Sequence, residues 1–252
     1  MKFFSKVLVC AALLALACAA PAMAHSLWLE TPSASPEAGK KLDLNIGFNE
    51  GFEVVDILKN SVESIPAPTM EGKGGAISFS LKSGGPNYAY VSAKNLAKGS
   101  YMAFTDYKPF DMKHGETKNK YFMTAKHLVN VAGGDDAEVV TKAFGKSKLE
   151  IVPLANPSSI EPGQTLPVQV LFDGKPLSRT ELLGDYRGFN PAGSWGLAKA
   201  FYCKTDKDGK LDFIPARGGL WVLKARHAVP NEDKSDVAAS VYLSTFTFFV
   251  KQ

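Results

Sequence analysis

Short apolar or alternating runs, each closed by Gly, Pro, Asn or Asp, recur about every ten residues along nearly the whole chain. A period of two with frequent turn residues is the pattern of half-buried strands, whereas helical spacing of apolar residues is nearly absent. The chain is therefore expected to be all-β. Strands are predicted at Ser26–Leu29, Lys41–Phe48, Ala76–Leu81, Tyr88–Lys94, Gly99–Tyr107 and Tyr121–Val131. A second set follows at Leu149–Leu154, Thr165–Phe172, Leu197–Thr205, Lys210–Pro215, Gly219–Arg226 and Val237–Val250. Between the sets, Ala132–Ser147 opens with Gly133-Gly134-Asp135-Asp136 and carries no alternation. This predicts two β-sandwich domains, immunoglobulin-like or transthyretin-like, over 25–147 and 148–252. Hairpin turns are expected at Asp173-Gly174 and at Asp206-Lys207-Asp208-Gly209.

The start of the chain reads as an export signal. Lys2 and Lys6 precede an apolar stretch from Val7 to Ala20, and Ala22-Met23-Ala24 is a small-x-small cleavage site. Cleavage after Ala24 would make His25 the first residue, leave 228 of the 252 residues, and place the protein in the periplasm. The apolar stretch falls short of the roughly 20 residues that a helix needs to cross a bilayer, so no membrane insertion of the mature chain is expected. The formal charge of +4 loses Lys2 and Lys6 with the signal, and the remaining charges of both signs are interspersed. That is not the footprint of a nucleic-acid-binding protein. Cys10 and Cys18 also leave, so Cys203 has no cysteine to pair with and reads as a small, buried strand residue.

Several stretches carry a family resemblance. They are Leu149-Glu150-Ile151-Val152-Pro153-Leu154-Ala155-Asn156-Pro157, Val168 through Leu177, Thr205 through Lys210, and Gly219-Leu220-Trp221 through His227, together with His25-Ser26-Leu27-Trp28-Leu29 at the start. In order and spacing they resemble the periplasmic NikM-like family. That resemblance implies a component of nickel or cobalt uptake, with a metal ion as cargo and a membrane transporter component as partner.

The residues themselves point to coordination chemistry at His25. A free amine and an imidazole on one residue form a bidentate nitrogen chelate, and both titrate close enough to neutrality to be deprotonated by a divalent ion. Nickel, cobalt, copper and zinc all accept imidazole nitrogen. His227 is the best candidate partner, since Trp221, Leu223, Ala225 and His227 share one face of a strand and the histidine stands at its end. His127, alternating with Ala125 and Val129, reads first as a buried structural residue and second, like His114, as a further metal ligand. His114 sits in Asp111-Met112-Lys113-His114-Gly115-Glu116, a run read as a charged loop with several ligand types. Tyr186–Trp195 reads as an aromatic, glycine-rich loop that covers either a ligand surface or the core.

Nucleophile elbow, phosphate-cradling loop, His-Glu-x-x-His and dinucleotide fingerprint are all missing from the sequence, so no catalysis is expected. The expected function is reversible binding of a transition metal for uptake or delivery. The alternative is a metal-free, immunoglobulin-like interaction module of the cell envelope.

Overall fold

The alternation does become strands. The computed structural model describes residues 25–49, 52, 64–83, 88–189, 198–232 and 236–252; residues 1–24, expected above to be an export signal, lie outside them. The first half of the chain contributes β1 (Ser26–Glu30), β2 (Asp43–Asn49), β3 (Thr69–Gly72), β4 (Gly75–Ser83), β5 (Tyr88–Ser92), β6 (Gly99–His114) and β7 (Thr117–Val131). A short helix α1 (Ala137–Val140) lies in the segment that separates the two strand sets. Then come β8 (Leu149–Pro153), β9 (Leu166–Phe172), β10 (Lys175–Pro176), β11 (Glu181–Tyr186), β12 (Phe201–Lys204), β13 (Lys210–Phe213), β14 (Gly219–Pro230) and β15 (Ala239–Val250).

The pairing crosses the expected boundary near residue 147. One path of eleven strands runs β1-β2-β5-β4-β3-β6-β7-β15-β14-β11-β12, and a smaller sheet joins β10-β9-β13 with β8 on β9. Its centre is a parallel ladder between β7 and β15, from Asn119 opposite Ala239 to His127 opposite Thr247. The halves thus share a sheet instead of forming separate ones.

What divides is the core. Tyr121, Met123, Ala125, Val129 and Val131 of β7, with Val241 and Leu243 of β15, join one apolar cluster with β1, β2, β4 and β5. Leu128 of β7, with Phe246, Phe248 and Val250 of β15, belongs to a second cluster with β8, β9, β11, β13 and β14. Successive side chains point to opposite faces of a strand, so the shared strands have a core on each side.

Asp173-Gly174 forms the expected hairpin, with both residues at positive φ (49° and 73°) between β9 and β10. Asp206–Gly209 does not. β12 pairs with β11 and β13 with β9, so this turn carries the chain from one sheet to the other. Asp206 Oδ1 accepts from the backbone N–H of Asp208 and Lys210 at 2.8 Å each. Gly209, at φ +69°, packs so closely that a Cβ would lie 2.7 Å from the Val170 carbonyl. Only glycine fits there.

β1 ends the long path, with β2 as its ladder partner. Its other edge is satisfied by side chains. Thr245 Oγ1 donates to the Leu27 carbonyl at 2.6 Å, Thr247 Oγ1 donates to the Leu29 carbonyl, and the Thr31 N–H donates to His127 Nε2 at 3.2 Å. Every residue of β1 is buried. Thr247→Val keeps the shape but removes the hydroxyl from a buried carbonyl, and is expected to lower the unfolding free energy by about 1–3 kcal/mol. Urea denaturation with an unchanged slope would show it; a loss under about half a kcal/mol would mean that β1 does not depend on this latch.

Candidate functional site

His25 is half-buried and immediately precedes β1. Its ring stacks on Phe48 of β2, with centroids 5.7 Å apart and planes 13° apart. Phe48 in turn tilts against Tyr107 at 5.7 Å. The fold therefore holds the residue that would carry the free amine against the first core, one residue ahead of a strand pinned to β15.

His227 stands elsewhere. It lies on β14 on the face of Trp221, Leu223 and Ala225, as the alternation predicts, and all three of those are fully buried in the second core. Its ring meets Phe172 edge to face at 4.6 Å. Burial first, and then the neighbouring Arg226 charge, holds its pKa below the usual imidazole range. Since His25 packs on the first core and His227 on the second, they occupy opposite faces of the shared sheet, and the structure does not bring them together.

His127 is enclosed. Nε2 accepts from Thr31 N–H, and Nδ1 lies 3.1 Å from the Thr247 carbonyl and 3.0 Å from its hydroxyl. With both nitrogens occupied and no exposed surface, it offers no position to a metal. The ring ties β1, β7 and β15 together. Burial lowers its pKa to about 3. His114, expected in a loop, is the last residue of β6. The run Asp111–His114 pairs with Thr117–Lys120 in a long hairpin that turns at Gly115. Among the described residues, no group of three His, Cys, Asp or Glu side chains is arranged to hold a metal ion.

Of the loop Tyr186–Trp195, residues 190–195 lie outside the described ones. Tyr186 packs on Trp221 at 5.1 Å and Phe189 on Tyr186 at 5.2 Å, and Arg187 forms an ion pair with Glu30 of β1. The described part of the loop thus joins β11 to the first strand. Cys203 lies on β12, as expected, but is half-buried and not enclosed.

Two buried charge groups were missed by the sequence reading. Lys126 of β7 pairs with Glu150 of β8 at 2.6 Å, and that carboxylate also accepts from the N–H groups of Phe144 and Gly145, at 2.5 and 3.0 Å. Glu150 thereby clamps the connection between the two strand sets. Asp185 of β11 is buried with Lys199 and Lys224 at 3.4 and 3.6 Å, and among the described residues neither of its oxygens accepts a hydrogen bond. The available signal was a charged residue inside an otherwise apolar run, as in Leu149-Glu150-Ile151-Val152.

The profile of a family described as a domain of unknown function, DUF4198, matches residues 22–229. The chain belongs to the DUF4198 family. No curated protein sequence matches it. Among solved structures, this DUF4198 chain is similar to FdeC, an Escherichia coli adhesin, at 13% identity and a TM-score of 0.23, covering 90% of this chain and 64% of that one. The D00-D0 domain of intimin gives 12% identity and a TM-score of 0.23, with 90% and 100% covered. The Yersinia pseudotuberculosis adhesin InvE gives 15% and 0.24, with 89% and 58% covered. At such TM-scores no residue correspondence follows, and the all-β class of the DUF4198 chain rests on its own ladders.

Proposed function

We propose that this DUF4198 protein is a periplasmic metal carrier that binds one nickel, cobalt, copper or zinc ion through the α-amine and imidazole of His25, once the signal is removed after Ala24. The observation that carries this reading is the anchoring of β1. Thr245 and Thr247 grip the carbonyls of Leu27 and Leu29, which fixes the backbone two residues beyond the chelating one. A tethered, half-exposed terminus loses less freedom on binding than a loose tail would. The NikM-like resemblance of the flanking segment His25–Leu29 supports the same reading.

With His227 on the other face and both nitrogens of His127 engaged, the chelate has only its own two nitrogens from these histidines. The remaining coordination positions would be taken by solvent or by a partner's ligands. Such a site exchanges its ion readily, which suits handing cargo to a membrane transporter component better than storage or catalysis. Neutral imidazole and amine are the binding forms, so affinity falls as either protonates.

Calorimetric titration with nickel(II) and copper(II) tests this on three proteins: the processed chain, a chain with one extra residue before His25, and His227→Ala. The processed chain is expected to bind one ion, the extended chain at least about tenfold more weakly, and His227→Ala like the parent. Equal affinity in the first two would remove the terminal chelate.

A second reading is favoured by one surface. Phe201 and Phe213 meet at 4.9 Å between β12 and β13, and their outward neighbours Tyr202 and Ile214 are 55% and 49% exposed. Tyr202 lies on β12, which ends the long path, and Ile214 follows β13, which ends the smaller sheet; exposed apolar groups at such edges suit a metal-free module that docks on an envelope partner. Absence of metal binding in all three proteins would favour it.

A further inference from the structure

Among the described residues, Asp185 alone combines full burial with polar side-chain atoms that make no hydrogen bond, and this holds for both of its oxygens. It lies on β11, whose ladder with β14 sets Asp185 opposite Val222 and Leu183 opposite Lys224. Asp185 and Lys224 are thus diagonal neighbours on one face of the sheet, a separation that a lysine side chain spans. Their side chains are 6% and 4% exposed, and Lys224 Nζ stands 3.6 Å from Asp185 Oδ2. Lys199 brings a second Nζ to 3.4 Å from the same oxygen. Val222 and Thr245, which flank the pair in the ladders, are buried as well.

A buried ion pair offsets the desolvation of its charges only when hydrogen bonds complete it. Among the described residues this carboxylate accepts none, so the ionic arrangement is a costly one. Proton transfer from ammonium to carboxylate within the pair leaves an amine and a carboxylic acid, and enclosure favours that transfer because it removes two charges at once. These neutral groups are the reactive forms for condensation. Both are carried on paired strands, so they meet without any diffusional search, and a site closed to water protects an amide from hydrolysis.

We infer that Lys224 and Asp185 condense into an intramolecular amide that ties β14 to β11. Lys224 Nζ attacks Asp185 Cγ and forms the C–N bond, one C–O bond of the carboxyl group breaks, and the departing hydroxyl takes an amine proton and leaves as water. Nothing is oxidised or reduced, and no co-reactant is consumed. The Lys199 ammonium beside Oδ2 stabilises the negative charge that develops on the carboxyl oxygen during the attack. Condensation removes both charges and expels one of the two orphan oxygens. Cys203 is the lone cysteine among the described residues, so no disulfide fastens these strands. β11 and β12 end the long path, and the amide secures that end covalently to β14. The bond is independent of His25 and requires no metal.

Mass spectrometry of the intact, processed protein under denaturing conditions needs no variant and decides the matter first. The mass is expected to fall about 18 Da, one water, below that of the sequence. Fragment spectra of a tryptic digest should then show the peptide carrying Asp185 joined to the one carrying Lys224. Lys224→Arg keeps the positive charge but removes the amine, and its mass should match its sequence, as should that of Asp185→Ala. In Lys199→Met the linked fraction of freshly made protein should drop at least about threefold, whereas a lysine that only fills space would leave it unchanged. The full sequence mass in the parent protein, a deficit that persists in Lys224→Arg, or a bond located at Lys199 overturns the inference.

Discussion

Trp221→Ala is expected to cost about 3–5 kcal/mol of unfolding free energy, because the ring is fully buried where the faces of β11, β13 and β14 meet. Tyr186 and Phe213 each pack edge to face on it at 5.1 Å. Its Nε1–H donates to the Arg217 carbonyl at 2.8 Å, so truncation also strips a partner from the backbone that leads into β14. Neighbours locked in ladders cannot collapse into the vacated volume, which puts the cost toward the upper end of the range. For a chain of this length the melting temperature should fall by roughly 10 °C, since each kcal/mol shifts it by about 2–4 °C. Circular dichroism melting of the two proteins measures it. Trp221→Phe, which keeps most of the volume, should lose clearly less; an unmoved transition in the alanine variant would mean that the ring does not fill this core.

Position along strands was legible in the sequence because burial alternates with a period of two, and the pattern located β1, β2, β4–β9 and β12–β15 to within a few residues, with β6 and β14 running on past their predicted ends. β3 escaped because Thr69-Met70-Glu71-Gly72 contains one apolar side chain, and β11 because Gly184 and Asp185 interrupt it. Gly184 is closely packed: a Cβ there would lie 3.0 Å from Phe201 and 3.1 Å from Leu223, so those side chains would have to shift by a few tenths of an ångström. The shared sheet was not legible. Alternation says which face a residue takes but not which distant strand lies beside it, and the β7–β15 ladder joins residues well over a hundred positions apart. A long loop with weak patterning looked like a boundary, although the hydrogen bonds pass beside it.

The candidate site divides in the same way. The face of His227 and the burial of His127 follow from local alternation, and both were readable. That His25 and His227 fall on opposite faces depends on where β1 docks, which Thr245 and Thr247 determine from the far end of the chain. The sequence pattern stops short of the full β6–β7 hairpin because its tip, Asp111–Lys120, has a single large apolar residue, Met112, and so no alternation. A ribbon that projects past the core needs no apolar side.

His127 is expected to make the protein lose stability as pH falls below about 6.5, by on the order of 4–5 kcal/mol by the time pH nears 3. Thr31 N–H donates to Nε2, so that nitrogen must carry a lone pair, and the proton sits on Nδ1, facing the Thr247 carbonyl. Protonating Nε2 would set an N–H against an N–H in a site without water-exposed surface. Burial therefore holds the imidazole neutral down to about pH 3, whereas in the unfolded chain it titrates near 6.5. Between those values the unfolded chain binds a proton that the folded one refuses. The stabilisation is complete above the unfolded pKa and is lost progressively as pH drops toward the folded one. Carboxylates dominate the lower part of that range, so the clean window lies between about pH 7 and pH 5, where this one group should account for about 2 kcal/mol. His127→Gln can still accept from Thr31 and donate toward Thr247 but cannot titrate, and it leaves the other histidines as common background. Urea unfolding of both proteins across the window should show a steeper fall for the parent, by up to one proton's worth of slope. Equal slopes would mean that the ring takes up its proton inside the folded protein, and that the latch holding β1 opens before the chain unfolds.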